Sequence, residues 1–399
     1  MKTNNVNSVS FTNSNIGLGL KAMSKIVAVQ EGGAGLSNIR FIQDTATGLV
    51  PKAVFARSKA DLGENSFLEL SESALVYYCP ALLGKVFKNI YSKRLPADLQ
   101  KQISTPAVEL LKQKGNKALL PVKAAIALGA FAIPLIEFTL NYIKNLMTLK
   151  VFKQGNFENI ANLNKDKKED TEFNKKIEIS AKKNILTAAG IYAGCLALGG
   201  MLAVRGNKSK ALQDISELIL APGTKLFRNN KKKADFFNKY FSLDFADNNG
   251  KFALSRGQLT SCVLVGGAGY FGASKDRGKQ NFLETLFRFP LVGFYIICGN
   301  ELLEKGFRKL LYKNNKCRDL INEQLEVPKL KDLKEIAIKK GGKFDEVYKK
   351  LLKQKCVIAG VPLLFGIGVM GFFIAGTSNF FTKYRYNTEN KIRNSSKTK

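Results

Sequence analysis

Glu137 and Asn141 are the residues whose type and placement first suggest chemistry. They stand four positions apart, so one lies above the other on a helix face, inside an apolar run covering residues 120–143. If that run crosses a bilayer, a charged carboxylate at such depth costs about 3 kcal/mol or more. The pair would then hold a proton or a small cation, with the carboxamide sharing a hydrogen bond with the carboxyl. The alternative is that the apolar segment ends near Pro134 and Glu137 faces lipid headgroups. On either arrangement Glu137 and Asn141 form the candidate intramembrane polar site.

Most other chemistries fail for want of residues. The chain has no histidine, which removes Ser-His-Asp and Cys-His catalysis, histidine-ligated zinc and H-E-x-x-H peptidases together. Its six cysteines include no C-x-x-C pair, so neither a disulfide framework nor a zinc knuckle is expected, and Cys195, Cys262 and Cys298 read as small hydrophobes in apolar runs. Gly206-Asn207-Lys208-Ser209 lacks the glycine directly before lysine that a phosphate-binding loop requires. Asp247-Asn248-Asn249-Gly250 reads as a hairpin turn rather than a calcium loop, because no Glu stands at the twelfth position. The expectation is a non-enzyme with no catalytic residue, no cofactor and no metal site.

Charge points to partners instead. Lysine and arginine exceed aspartate and glutamate by 31, a balance that attracts polyanions. Lys231, Lys232 and Lys233 lie close to Phe236, Phe237, Tyr240 and Phe241, and Lys383 and Arg385 alternate with Tyr384 and Tyr386. Such mixtures suit single-stranded nucleic acid or an anionic membrane surface. Apolar runs on both sides of the first cluster favour the membrane, so anionic lipid is the expected partner and nucleic acid is not. Gly190 and Gly194 carry the small-x-x-x-small spacing that permits close helix packing and a homo-oligomer.

The elements that would position these residues are apolar helices. Residues 185–204 and 357–376 each run for twenty positions without a charge, and about 30 Å of helix matches a bilayer core. The 120–143 run is interrupted by Lys123, which could snorkel to headgroups, and by Pro134, where a kink is expected. Residues 259–274 and 286–300 read as a helical hairpin, its second arm carrying Glu284 and Arg288 as an i,i+4 pair. Ahead of these, Ser58 caps a helix bearing Asp61 and Glu64 in its first turn, followed by Leu68, Leu75 and Cys79 until Pro80 interrupts and a second amphipathic helix starts.

The expected division is a disordered lead-in over 1–35, with no secretory signal, and a helical extramembrane region over 36–118. A first membrane hairpin (119–204), a basic segment (205–258), a second hairpin (259–303), a basic helical segment broken at Gly341-Gly342 (304–355), a last membrane helix (356–377) and a basic, disordered tail (378–399) follow. Residues 40–78, running after Arg40 as FIQDTATGLVPKAVFARSKADLGENSFLELSESALVYY, resemble the opening of an uncharacterised, lineage-restricted group of bacterial multi-pass membrane proteins. The resemblance covers about a tenth of the chain and implies a bacterial source without any activity. The whole reads as an all-α, multi-pass helical membrane protein with four or five spanning or re-entrant helices. It would sit in the bacterial inner membrane as a structural or interaction protein, with a small-solute or ion transporter using Glu137 as the alternative.

Overall fold

A computed structural model describes residues 17–31, 38–93, 95–112, 117–164, 168–248 and 251–397. Within these the chain is helical apart from one short hairpin. The first helices are α1 (Leu18–Glu31), α2 (Asn38–Val54), α3 (Lys59–Tyr91), α4 (Ala97–Lys101) and α5 (Ala107–Lys112). There follow α6 (Leu120–Ala130), α7 (Ala132–Met147), α8 (Phe157–Ile160), α9 (Thr171–Arg205), α10 (Lys210–Leu220), α11 (Pro222–Leu226) and α12 (Lys231–Phe241). After strands β1 (Ala246–Asn248) and β2 (Lys251–Ala253) come α13 (Arg256–Asp276), α14 (Lys279–Phe294), α15 (Asn300–Lys313), α16 (Leu333–Lys340), α17 (Phe344–Phe365) and α18 (Ile374–Lys397). Wide π turns occupy Thr148–Phe152, Tyr295–Gly299 and Gly366–Phe373.

Local chemistry explains where the helices begin and break. Ser58 accepts the Asp61 amide as the α3 cap, Asp170 accepts the Glu172 and Phe173 amides at α9, and Ser255 with Gln258 forms a capping box at α13. Pro80 does not divide α3, which continues to Tyr91 with the proline buried. The expected kink at Pro134 falls earlier: α6 stops at Ala130 and α7 restarts at Ala132. A proline ring clashes with the carbonyl four residues back, which here belongs to Ala130. The restart leaves Pro134 in the first turn of α7, where a missing N–H matters least.

Among the described residues, four helices are long and apolar enough to cross a membrane: Leu120–Phe152, Thr171–Lys208, Lys279–Lys313 and Phe344–Ser396. The expected hairpin over 259–300 forms as α13 and α14, but α13, rich in glycine, is not among the four. The turn predicted at Asp247 joins β1 to β2 in antiparallel register, Ala246 opposite Ala253, while Asn249 and Gly250 lie outside the described residues.

The chain divides into two compact units. One comprises Ala34–Asn300 with Gly366–Lys399, and α6 and α7 run through its middle. Leu120, Ala124, Ile126 and Leu128 pack with Phe87 of α3, Leu202 of α9 and Leu220 of α10. Ile133 and Leu140 pack with Leu68, Leu75 and Cys262. Residues 36–118, expected outside the bundle, therefore contribute α3 to its core. Lys123 does not snorkel; it is buried, donating to the Ile103 and Thr105 carbonyls at 2.7 and 2.8 Å and pairing with Asp244 at 2.9 Å.

The other unit comprises Met1–Gly33 with Glu301–Phe365. Leu311, Leu320, Leu333, Leu351 and Ile358 form its core, with Leu20 and Met23 of α1 packed against it. Two expectations fail here. The lead-in is not wholly unstructured, since α1 is helical with Val27 buried, although residues 1–16 lie outside the described set. Residues 314–329 are not helical but a turn-rich loop, with Asn315, Cys317 and Leu325 at positive φ. The break at Gly341-Gly342 is present, both residues having positive φ. The tail departs too: α18 stays helical to Lys397, tied to α14 by Lys279 and Gln280 on Glu389 and to the end of α2 by Asn379 on the Phe55 carbonyl.

Candidate functional site

The polar residues of α7 lie in one stripe. Glu137, Asn141, Asn145 and Thr148 recur at steps of four, four and three, with Lys144 beside Asn145, which keeps them on one helix face, and that face turns inward. Residues 141, 144, 145 and 148 are buried. Beside the stripe, α13 presents glycine. An added Cβ at Gly266 would lie 2.4 Å from Glu137 Cγ, and one at Gly269 would lie 2.3 Å from the Phe138 carbonyl oxygen. The second is a backbone approach that only glycine permits.

Within this stripe several polar atoms have no protein partner among the described residues. Asn141 Nδ2 donates to the backbone carbonyl of Glu137 at 3.3 Å, not to its carboxylate as expected. Asn145 Nδ2 donates to the Ala273 carbonyl at 2.9 Å. Because both contacts are to carbonyl oxygens, each amide must point its nitrogen there, which fixes the two Oδ1 atoms away from them. Those oxygens and Glu137 Oε2 are buried without a donor. Unpaired buried acceptors cost about 1–3 kcal/mol apiece. All three are oxygens, but Glu137 and Asn145 stand about 12 Å apart along the helix, so they form a row of separate acceptors rather than one ligand cage.

At the foot of the stripe is an ionic knot. Glu64 of α3 receives Arg277 Nη1 at 2.5 Å and the Thr148 hydroxyl at 2.6 Å, with Lys144 Nζ at 3.9 Å. Lys144 also stands over the Tyr270 ring at 5.4 Å. Next to it, Arg57 grips Glu284 with two nitrogens at 2.7 and 3.1 Å and Asp61 with Nε at 3.0 Å. Burial works against the Asp61 carboxylate, but the Arg57 guanidinium outweighs it and holds the carboxyl below the usual range. The anticipated Glu284–Arg288 pair exists at 3.4 Å but is the looser of the two arginine contacts to that carboxylate.

Sequence reasoning named Glu137, Asn141 and Glu284 and missed Arg57 and Arg277. A lone arginine after a loop and another at a hairpin turn carry no local signal; their partners lie 227 and 213 positions away. The remaining candidates sit elsewhere. Gly190 and Gly194 are exposed, with nothing within 4 Å of an added Cβ, so within one copy they pack against no helix. Lys231, Lys232 and Lys233 are exposed on α12, whose Phe236, Phe237, Tyr240 and Phe241 rings meet edge-on or tilted along it. Lys383 is exposed, whereas Arg385 is half-buried and donates to Thr382 at 3.3 Å. The Gly206–Lys208 turn follows α9 directly, with no strand before it. All six cysteines are free thiols, Cys262 and Cys356 buried.

Compared with known proteins, the chain matches no protein-family model, no curated protein and no solved structure. Its function rests on its own geometry.

Proposed function

We propose that this protein is a multi-pass integral membrane protein, in the bacterial inner membrane, that acts as a non-enzymatic structural or interaction partner of anionic lipid. One observation carries the reading. Of the most apolar stretch in each long helix, 83% is buried in Leu120–Phe152, against 17% in Thr171–Lys208, 17% in Lys279–Lys313 and 22% in Phe344–Ser396. Outward-facing side chains include Leu186, Ile191, Met201, Phe294, Leu364 and Phe373. A soluble monomer rarely exposes apolar surface on that scale, whereas hydrocarbon is the solvent that rewards it. The exposed lysines of α12 suit lipid phosphates, each contributing roughly 1 kcal/mol near an anionic surface.

The test is alkaline carbonate extraction of membranes from cells expressing the full chain, paired with a high-salt wash. The protein should stay in the pellet in both. Release by carbonate would overturn the reading and leave a peripheral basic protein.

A second reading, passage of a proton or small cation, is favoured by the donorless oxygens of Glu137, Asn141 and Asn145. The small cavity beside the α6–α7 break holds about 10 Å³, roughly the space of one water, and none of the three residues lines it. Glu137→Gln should then abolish a pH-dependent flux in liposomes. Unchanged flux, or none in the parent protein, counts against this reading.

A further inference from the structure

A groove of about 490 Å³ runs along α17 and is walled on its other side by Leu20 and Met23 of α1. That volume falls within the roughly 300–1,000 Å³ of small-molecule sites. Its two ends differ in chemistry. Lys349 and Lys353 stand at one end, and Val357, Val361 and Leu364 line the other. These positions step by three or four, so they form one stripe facing the groove.

The two lysines of the stripe differ from the basic residues beside them on α17. Neighbouring Lys350 pairs with Asp319 at 2.9 Å, and Lys355 is buried against Glu31 at 2.5 Å and the Pro328 carbonyl at 2.6 Å. Lys349 and Lys353 are exposed, and among the described residues neither has a carboxylate within ion-pair distance. Two ammonium groups four positions apart repel by a few tenths of a kcal/mol, a cost that a single anion between them would remove.

The groove floor is fitted for a chain. Gly360 is buried beneath Met23, whose sulfur would lie 3.1 Å from an added Cβ. A flexible thioether wall adapts to an irregular apolar guest. From Lys353 to Leu364 the helix rises about 16 Å, close to the roughly 15 Å hydrocarbon depth of one leaflet. Val357 is also the first residue of the uncharged twenty-residue run, so the lysines stand where headgroup phosphates begin.

We infer that this groove holds one anionic phospholipid, its phosphate between Lys349 and Lys353 and an acyl chain along Val357, Gly360, Val361 and Leu364. The site rests on the membrane reading above and names the headgroup class and the residues that take it.

The test is native mass spectrometry of the full-length protein in neutral maltoside, titrated with phosphatidylglycerol and, separately, with phosphatidylcholine. The parent should retain one phosphatidylglycerol and should hold phosphatidylcholine at least about tenfold more weakly. Lys349→Gln with Lys353→Gln should weaken phosphatidylglycerol retention about tenfold or more. Gly360→Leu should block the apolar end with both lysines intact. Replacing Lys231, Lys232 and Lys233 by Gln should leave that lipid in place, and each variant's thermal unfolding reports whether it has folded.

Equal retention of phosphatidylcholine, no retained lipid in the parent, or undiminished binding in the folded double variant would each overturn the proposal. Failure of the membrane reading looks different. A chain washed off by carbonate yet still retaining phosphatidylglycerol keeps the groove and loses the membrane; a chain held in the pellet with no retained lipid does the reverse.

Discussion

Glu64 shows what a single residue's sequence context reveals and what it hides. It stands six residues past the Ser58 cap, in the second turn, with Asp61 in the first, and the helix start is legible from that capping serine with an acid behind it. Its structural work is done with Arg277, Thr148 and Lys144, which no local spacing announces. Asp319 is the counterpart on the loop before α16. Lys340 and Lys350 donate to its carboxylate, with Gln354 at 3.1 Å, and they hold its pKa well below the usual carboxylate value despite some burial. A depressed carboxyl stabilises the fold above its unfolded pKa of about 4, and that contribution is lost as pH falls through the folded value. Asp319→Asn should therefore lower stability near neutral pH by about 1 kcal/mol. The gap between variant and parent should narrow in strong acid, as read from thermal unfolding at about pH 7 and about pH 3. A gap that is the same at both would show that the carboxylate's charge plays no part.

At the scale of elements, glycine spacing does not say which partner a helix meets. Gly190-x-x-x-Gly194 has the spacing of a packing motif but faces outward, while Gly266 and Gly269 of α13 make a close helix approach, against α7. Spacing shows that a helix could pack tightly; only the neighbour shows that it does. Gly269→Val would drive a side chain into the Phe138 backbone, which cannot yield as a side chain would, and should destabilise the detergent-solubilised protein by about 3 kcal/mol. Gly190→Val should stay within about 0.5 kcal/mol. Thermal unfolding of the two decides this, and equal effects would refute the α7–α13 contact. Helix existence was legible from apolar runs, and the hairpin from Asp247 onward was legible from its turn residues. Proline effects were only half legible: Pro80 sits inside α3 and Pro134 displaced a break to Phe131. The π turns were invisible, because each adds a residue to a turn and shifts the 3.6-residue pattern out of phase.

For the whole molecule, the sequence separated apolar runs from lysine-rich segments, and four of the described helices are long and apolar enough to cross a membrane. What it did not disclose is which run lies inside. Leu120–Phe152 and Thr171–Lys208 are both apolar, yet only the first is enclosed, because α3, α9 and α13 pack around it. Domain limits drawn at changes of composition missed that α1 joins residues 301–365 across most of the chain. The Arg57–Glu284 clasp spans a comparable distance, and it bears on how the protein is made. A ribosome delivers Arg57 and Glu64 long before Glu284 and Arg277 exist. During that interval Arg57 has only Asp61 and Glu64 lacks Arg277, and α3 cannot take its final place against α13, which is not yet synthesised. The first third of the chain must wait, and the fold closes only when the second hairpin arrives.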